Sequence, residues 1–405
     1  MVWRGAALEV RLRAVAAWLT EHHGLLTARP FVALPTPWEQ AHGQVAAWLD
    51  TLPDDDFEAR ERDSVWHDAP EPLATWAAAS SALCAVSRLP SVPWTLPVNA
   101  TRRVPGRKVR QLERFLGCAV QALDDHRGPV VDWCAGKAHM GRALAERLGV
   151  PLVAIERDAD LAAQGERLAR AASLDAHFLV TDALGPDAAA QLSPGRAVLA
   201  LHACGALHTT LIERTESERV LLAPCCYDKA LDETGSARVL SAVGRALAPR
   251  LDVEALRLVH EAPSETGVPE LTRVRTIQAR RLGFDLWLRA ARGRQAYTAM
   301  PPFPVAWRSL DFPTFCARLA VLGGLDPPAP GEPNPVPFEA AGWARLGLVR
   351  RRDAVRGLCR RPVEVLLALD RAVALRDRGF DVELGEFCGT ECTPRNLLLM
   401  GRRVG

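Results

Sequence analysis

Short apolar runs without polar alternation recur through the middle of the chain. They are Pro129-Val-Val-Asp-Trp, Val150-Pro-Leu-Val-Ala-Ile-Glu, His177-Phe-Leu-Val-Thr-Asp, Ala197-Val-Leu-Ala-Leu-His and Arg219-Val-Leu-Leu-Ala-Pro. Between them the apolar period changes to that of a helix: Met140, Leu144 and Leu148 share one face, and Leu161, Gly165 and Leu168 another. Runs of this kind predict strands covered on both faces, joined by helices that also cross over. The pattern predicts an α/β domain with a doubly wound, mostly parallel sheet.

Towards the end, an apolar helix over 362–378 precedes two further strands, 382–387 and 397–400. About nine residues connect them, too few for a helical crossover, so they should pair antiparallel. A parallel sheet closed by a C-terminal antiparallel hairpin fits a Rossmann-like class I methyltransferase sheet better than a dehydrogenase one. Residues 1–100 read as a helical, Trp-rich domain, with Trp18, Trp38, Trp48, Trp66, Trp76 and Trp94 as core candidates. Residues 101–405 read as the α/β domain, with 228–360 as a long insertion after the fifth strand. That insertion carries helical patterns around 230–250 and 343–360 and a Pro-rich break over 327–337.

Composition changes little in this picture. The 405 residues suggest two or three domains, and 48% hydrophobic with 24% charged residues is ordinary for a globular protein. A net charge of +2 excludes a strongly basic or acidic tail, but not a local patch. One such patch is Arg102, Arg103, Arg107, Lys108 and Arg110, at the start of a helix. It reads as a solvated helix start or as a basic collar facing a substrate. The N-terminal stretch is broken by Glu9, Arg11 and Arg13 and reads as an amphipathic helix, not a signal or a membrane span. The 10 cysteines are too sparse for a disulfide scaffold, so the expected compartment is the reducing cytoplasm. Lysine occurs only at Lys108, Lys137 and Lys229 in a chain that otherwise spells positive charge as arginine.

The first strand runs into Asp132-Trp-Cys-Ala-Gly-Lys-Ala-His-Met-Gly. Small residues at a strand-to-helix turn let a ligand approach the backbone and the helix N–H groups. Gly136-x-Ala138-x-x-Gly141 alone is a weak dinucleotide signal. Asp132 argues against a pyrophosphate and for a cationic ligand, the ammonium and sulfonium of S-adenosylmethionine. Glu156 ends the second strand, placed for both ribose hydroxyls, and Asp182 follows the third, placed for the adenine amino group. An acid at the end of each of three successive strands points to S-adenosylmethionine as cofactor. Cys134, Ala135, Gly136, Lys137 and Ala138 would form the cradle, with Lys137 near the methionine carboxylate. Asp158 reads as a helix cap.

Ligands of open α/β sheets bind at the carboxyl ends of the strands. There the fourth strand carries Leu201-His-Ala-Cys-Gly, the fifth Cys225-Cys-Tyr-Asp-Lys, and the last hairpin Thr393-Pro-Arg-Asn. His202 is a candidate base and cofactor contact, or a structural histidine. Tyr227 is a candidate for stacking on the acceptor or closing the pocket. Arg395 and Asn396 would hold the acceptor or pin their loop. A metal on Cys204, Cys225, Cys226, Cys388, Cys392 or His202 is not expected, because no CxxC pair occurs and adjacent Cys225 and Cys226 point apart if extended. No context for a nucleophilic cysteine is present either.

Asp132-x-Cys-Ala-Gly-Lys-x-His-Met, Leu201-His-Ala-Cys-Gly, Cys225-Cys-Tyr and Thr393-Pro-Arg-Asn-Leu, in this order, resemble one methyltransferase-domain family. It comprises the eukaryotic methyltransferase-like proteins with a Cys-Cys-Tyr motif and the glutathione S-transferase C-terminal domain-containing protein. The resemblance covers roughly 101–230 and 362–403 and extends distantly to tRNA 2′-O-methyltransferases. Those carry Cys-Cys-His-His where this chain has Cys-Cys-Tyr-Asp, and a zinc-finger pattern that it lacks. The family usually has glycine where this chain has Ala138. The resemblance implies methyl transfer from S-adenosylmethionine to an acceptor, with RNA favoured by the basic collar and the tRNA kinship. A protein or small-molecule acceptor, and a non-catalytic module of the same fold, are the competing readings.

Overall fold

The computed structural model describes residues 2–96, 105–261 and 268–404; the side chains of Asp63, His202, His260, Glu261 and Val268 lie outside that description. Arg102 and Arg103 of the basic collar fall outside the described residues. The chain forms two compact units. One comprises Met1–Glu21, Ser81–Ser264 and Arg360–Gly405, the other His22–Ser80 and Glu265–Cys359. The division at 359/360 falls where the expected insertion ends, while no division falls at 100 or 228.

The first unit is built on one eight-stranded sheet. Its strands are β1 (Trp3–Arg4), β2 (Val130–Trp133), β3 (Leu152–Glu156), β4 (Ala176–Val180), β5 (Ala197–Cys204), β6 (Arg219–Cys225), β7 (Phe380–Glu386) and β8 (Leu397–Arg403). The order is β1-β7-β8-β6-β5-β2-β3-β4. Strands β4, β3, β2, β5 and β6 are parallel, and β8 runs antiparallel between β6 and β7. The expected closing hairpin is therefore present, with its last strand beside the fifth of the parallel set.

Helices α2 (Gly106–Ala122) and α3 (His139–Leu148) cover one face. Their Leu112, Phe115, Leu116 and Leu144 share a core with Val130, Leu152, Leu199, Leu221 and Leu398 of the strands. Side chains alternate across a strand, so Val131, Val198, Val220 and Leu222, also buried, point to the other face. Helix α4 (Ala159–Ala171) packs on β3 and β4, and α5 (Ala206–Arg214) on β5. Helix α6 (Arg360–Asp377) is buried along nearly its whole length and packs on β7, β8 and α5.

Three expectations shift here. The two-residue β1 is too short to leave a period-2 signal, yet Trp3 and Arg4 pair with Leu384 and Glu383. The helix that follows, α1 (Ala6–Glu21), packs on α6. The first residues therefore start the sheet unit and not a separate helical domain. On α4 the buried face is Ala162, Gly165 and Ala169, while Leu168 is exposed, because small residues let this helix lie close to Phe178 of β4. Strand β4 is only half-buried because it is the sheet edge.

In the second unit, helices Val268–Arg292 and Val336–Gly357 lie along each other. Gly342 permits the approach: a Cβ there would stand 2.2 Å from the Ala279 carbonyl oxygen and 2.6 Å from the Gly283 nitrogen. Phe284, Trp287, Phe312, Phe315 and Leu319 form one core. The Val336–Gly357 helix also carries Arg350, Arg351 and Arg352, which bind the segment 39–61. Arg351 donates to the Leu49 and Leu52 carbonyls at 2.9 Å and to Asp54 at 2.8 Å. Arg352 pairs with Glu39 at 3.0 Å and with Asp50. Most of the Trp-rich segment thus packs with the far part of the expected insertion, a partnership that neither stretch announces alone.

Candidate active site

Strand β2 ends in a loop that takes the left-handed conformation repeatedly, at Cys134 (φ 62°), Gly136 (φ 57°) and Ala138 (φ 51°). That conformation costs a non-glycine residue roughly 1–2 kcal/mol, and such strain concentrates at functional sites. It also explains why a glycine suits position 138, where the buried Ala138 caps α3.

The loop is pinned from below and from the side. The Ala135 N–H donates to the Ile155 carbonyl at 2.8 Å, and the Gly136 N–H to the Glu156 carboxylate at 2.7 Å. Glu156 also accepts the Asp158 N–H at 2.9 Å, and Asp158 caps α4 as expected, accepting from Asp160 and Leu161. Asp182 accepts the Leu184 N–H at 2.9 Å and is otherwise open to solvent.

Asp132 is placed differently from the expectation. It lies beneath the loop, 2% exposed, and accepts the Gly141 N–H at 2.9 Å. Burial pushes its carboxyl up to about 7, against the opposing pull of the Gly141 N–H and Arg142. Gly141 permits this seat, since a Cβ there would meet Asp132 Oδ2 at 2.8 Å. Asp132 therefore organises the loop from inside, and its charge is tunable by whatever sits above.

Arg142 went unnoticed in the sequence. It donates to the Lys137 carbonyl at 3.2 Å and lies 3.2 Å from His139 Nδ1. Burial, then the nearby charges of Arg142, Lys137 and Lys108, hold His139 below the usual imidazole range. Lys108 of the basic collar is thus within electrostatic reach of His139, at the start of α3. An arginine one position after the loop's last glycine was the available signal.

At the neighbouring strand ends, β5 carries a register irregularity between Leu201 and Ala203, so His202 occupies a bulge. Its side chain lies outside the description. Cys204 is paired across from Cys225. Continuing the β6–β8 register beyond Leu222 and Leu399 sets Asn396 level with Cys225. Cys134 is exposed at the same edge, within electrostatic reach of Glu156, Asp132, Cys204 and Asp182, and its thiol is pushed up by partial loss of hydration and then by these negative neighbours.

Tyr227 is buried, with its ring edge-on to His208 at 5.5 Å and under the Arg371 guanidinium at 5.4 Å. The structure seats this ring in the interior, and its hydroxyl has no partner among the described residues. His208 is itself buried, bonded to the Ala203 carbonyl, and held down to about 3 by burial and then by Arg371; it stays neutral. Asn396 donates to the Cys388 carbonyl at 2.8 Å while its own Oδ1 is buried and unpartnered. Arg395 is half-buried beside Thr393.

Cys225 and Cys226 do not point apart. Cys226 adopts φ 49°, and both sulfurs converge with Cys204, at 3.4 Å for Cys225 and 3.3 Å for Cys226. The expectation assumed extended backbone at a position where the chain turns left-handed.

A tight loop after the first parallel strand, acids at three successive strand ends and this sheet order define the class: an S-adenosylmethionine-dependent methyltransferase domain. Residues 107–233 match the model of a family described as a methyltransferase domain. Among solved structures, a hypothetical protein of Thermus thermophilus is 20% identical, covering 34% of this chain and 81% of its own, with a TM-score of 0.24. Coclaurine N-methyltransferase bound to N-methylheliamine and S-adenosylhomocysteine is 12% identical, covering 45% of this chain and 62% of its own, with a TM-score of 0.24. Geranyl diphosphate C-methyltransferase from Streptomyces coelicolor A3(2) is 14% identical, covering 47% and 66%, with a TM-score of 0.22. The match thus spans less than two thirds of either named enzyme. Among the described residues no helix is long and apolar enough to cross a membrane.

Proposed function

We propose that the chain transfers the methyl group of S-adenosylmethionine to RNA, in the cytoplasm. The observation that carries the acceptor class is the basic group beside the cofactor loop. Arg107, Lys108 and Arg110 are exposed at the start of α2, and Lys108, Lys137 and Arg142 all act on His139 at the start of α3. A phosphodiester chain laid across this rim would meet positive charge next to the reacting methyl group. The resemblance to tRNA 2′-O-methyltransferases supports the same acceptor.

In this reading the cofactor rests on Cys134, Ala135, Gly136, Lys137 and Ala138. Glu156 takes the ribose, Asp182 the adenine, and Asp132 sets the loop and the local negative charge. Methyl transfer is an in-line displacement, so the protein must align the acceptor oxygen and receive its proton. His202, in its bulge, is the base. Asn396 and Arg395 position the acceptor, and the buried Tyr227 supports the turn that follows β6. The catalytic unit is the sheet unit, and residues 22–80 with 265–359 form an accessory helical unit.

The deciding experiment gives full-length protein tritiated S-adenosylmethionine and fractionated lysate. RNase-sensitive label, lost in Lys108→Ala with Arg110→Ala but restored at low salt, is the expected result. Label in RNase-resistant protein or in a small-molecule fraction overturns the RNA acceptor.

A further inference from the structure

The thiols of Cys204, Cys225 and Cys226 all lie within 4.8 Å of one another. We propose that they bind a single zinc-class cation through three thiolates, with a fourth position left to water or an incoming ligand. The other buried cysteines, among them Cys118, Cys316 and Cys359, pack in the interior outside this group.

Two features of the backbone build the site. Parallel register sets Cys204 directly across from Cys225, so both side chains leave the same face of the sheet. The left-handed Cys226 then folds a third sulfur back onto that face, where extended backbone would send it away. A non-glycine residue in that conformation must be held there by its surroundings. Gly205, at φ 55°, lets the end of β5 pack closely on the segment after β6, since a Cβ there would stand 2.4 Å from Lys229 Cβ.

The dimensions fit a tetrahedral centre. Zinc–sulfur bonds of ~2.3 Å give sulfur–sulfur edges of roughly 3.8 Å. The two contacts of Cys204, at 3.3 and 3.4 Å, need to open by only a few tenths of an ångström, and the third edge lies within 4.8 Å. Cys225 is buried while Cys204 and Cys226 are half-exposed, so the group is open on one side. Three protein ligands with an open position is the arrangement of a reactive zinc site, where a closed structural site has four. Binding releases the three thiol protons, leaving the centre with one net negative charge, and Lys229 is within electrostatic reach of Cys204.

The test uses full-length protein purified under reducing conditions with zinc supplied, then desalted. The expected result is about one zinc per chain, falling to near none in Cys204→Ser and in Cys226→Ser, and unchanged in Cys388→Ser. Folding of the variants is read from the thermal shift with S-adenosylhomocysteine. Where a variant does not fold, X-ray absorption on the wild type decides, with three sulfur neighbours at ~2.3 Å expected. Absence of retained zinc, retention undiminished in both folded variants, or a sulfur count other than three overturns the site. So does a disulfide between these thiols with no metal held under reducing conditions.

Discussion

The two units use arginine in opposite ways. In the sheet unit Arg371 is fully buried and enclosed by single partners, with Asp370 at 2.9 Å, the Arg238 carbonyl at 2.9 Å and the Tyr227 ring against it. In the helical unit Arg350, Arg351 and Arg352 follow one another on one helix, and several of their acids are partly exposed. A closed network fails when any member is removed, because the remaining charge is stranded in low dielectric. On the helix each arginine has its own acids, and the outermost, Arg350, pairs with partly exposed acids of which Glu58 is also held by Arg275, so its removal strands no charge.

The largest expected effect is therefore at Asp370. Its two oxygens accept from Leu240 N, Ser241 N, Ser241 Oγ and Arg371, fastening α6 to the segment after β6. Asp370→Ala should lose about 3–5 kcal/mol of stability. Urea unfolding measures the loss, and hydrogen exchange should localise it to peptides of the sheet unit. A loss under about 1 kcal/mol would break the contrast.

The second effect is a pH slope. Asp132 has a folded-state value of about 7, above its ordinary 3.8. Between those values the folded protein keeps a proton that the unfolded chain has released. Stability should thus fall as pH rises through this window, by roughly 4 kcal/mol at most, and level off above about 7. Asp132→Asn should flatten the slope. Because a cationic ligand favours the charged carboxylate, affinity for S-adenosylmethionine should rise over the same window in wild type and not in Asp132→Asn. Urea unfolding at several pH values measures the slope, and titration calorimetry at the same pH values the affinity.

What was legible in the sequence follows the same division. The parallel strands were readable because burial on both faces leaves uninterrupted apolar runs, and the acids at Asp132, Glu156 and Asp182 because they end those runs. Strand β1 was not, since two residues carry no period. Asp132 was found as a residue but not as a buried one, because depth depends on Gly141 and α3 above it. The Cys204–Cys225–Cys226 group was hidden by a backbone conformation at Cys226 that composition does not encode. The two stretches of the helical unit were legible as helices but not as partners, as their arginines meet acids some 300 positions earlier, such as Arg352 with Glu39.

The third prediction probes the helical unit at its tightest point. A methyl group at Gly342 meets backbone, the Ala279 carbonyl and the Gly283 nitrogen and Cα, none of which can rotate away. Alanine is a better helix former than glycine by roughly 1 kcal/mol, so propensity alone would stabilise. Overpacking should outweigh it, for a net loss of about 1–3 kcal/mol in Gly342→Ala. A gain in thermal stability would mean that the two helices part easily.

The smallest effect is expected at Arg350. It pairs with Glu58 at 3.1 Å and Glu61 at 3.0 Å, acids that are 36% and 34% exposed. Glu58 keeps Arg275 at 2.8 Å when Arg350 is gone, so no charge is stranded. The guanidinium also lies over the Phe57 ring at 5.4 Å, a contact that alanine removes without burying anything polar. Arg350→Ala should cost no more than about 1 kcal/mol, and salt should shrink the cost further by screening the wild-type pairs. Urea midpoints at low and high salt measure both. A loss as large as that of Asp370→Ala, insensitive to salt, would mean that this row is itself a closed network, and the distinction between the two units would then lie in sequence separation rather than in how their charges are held.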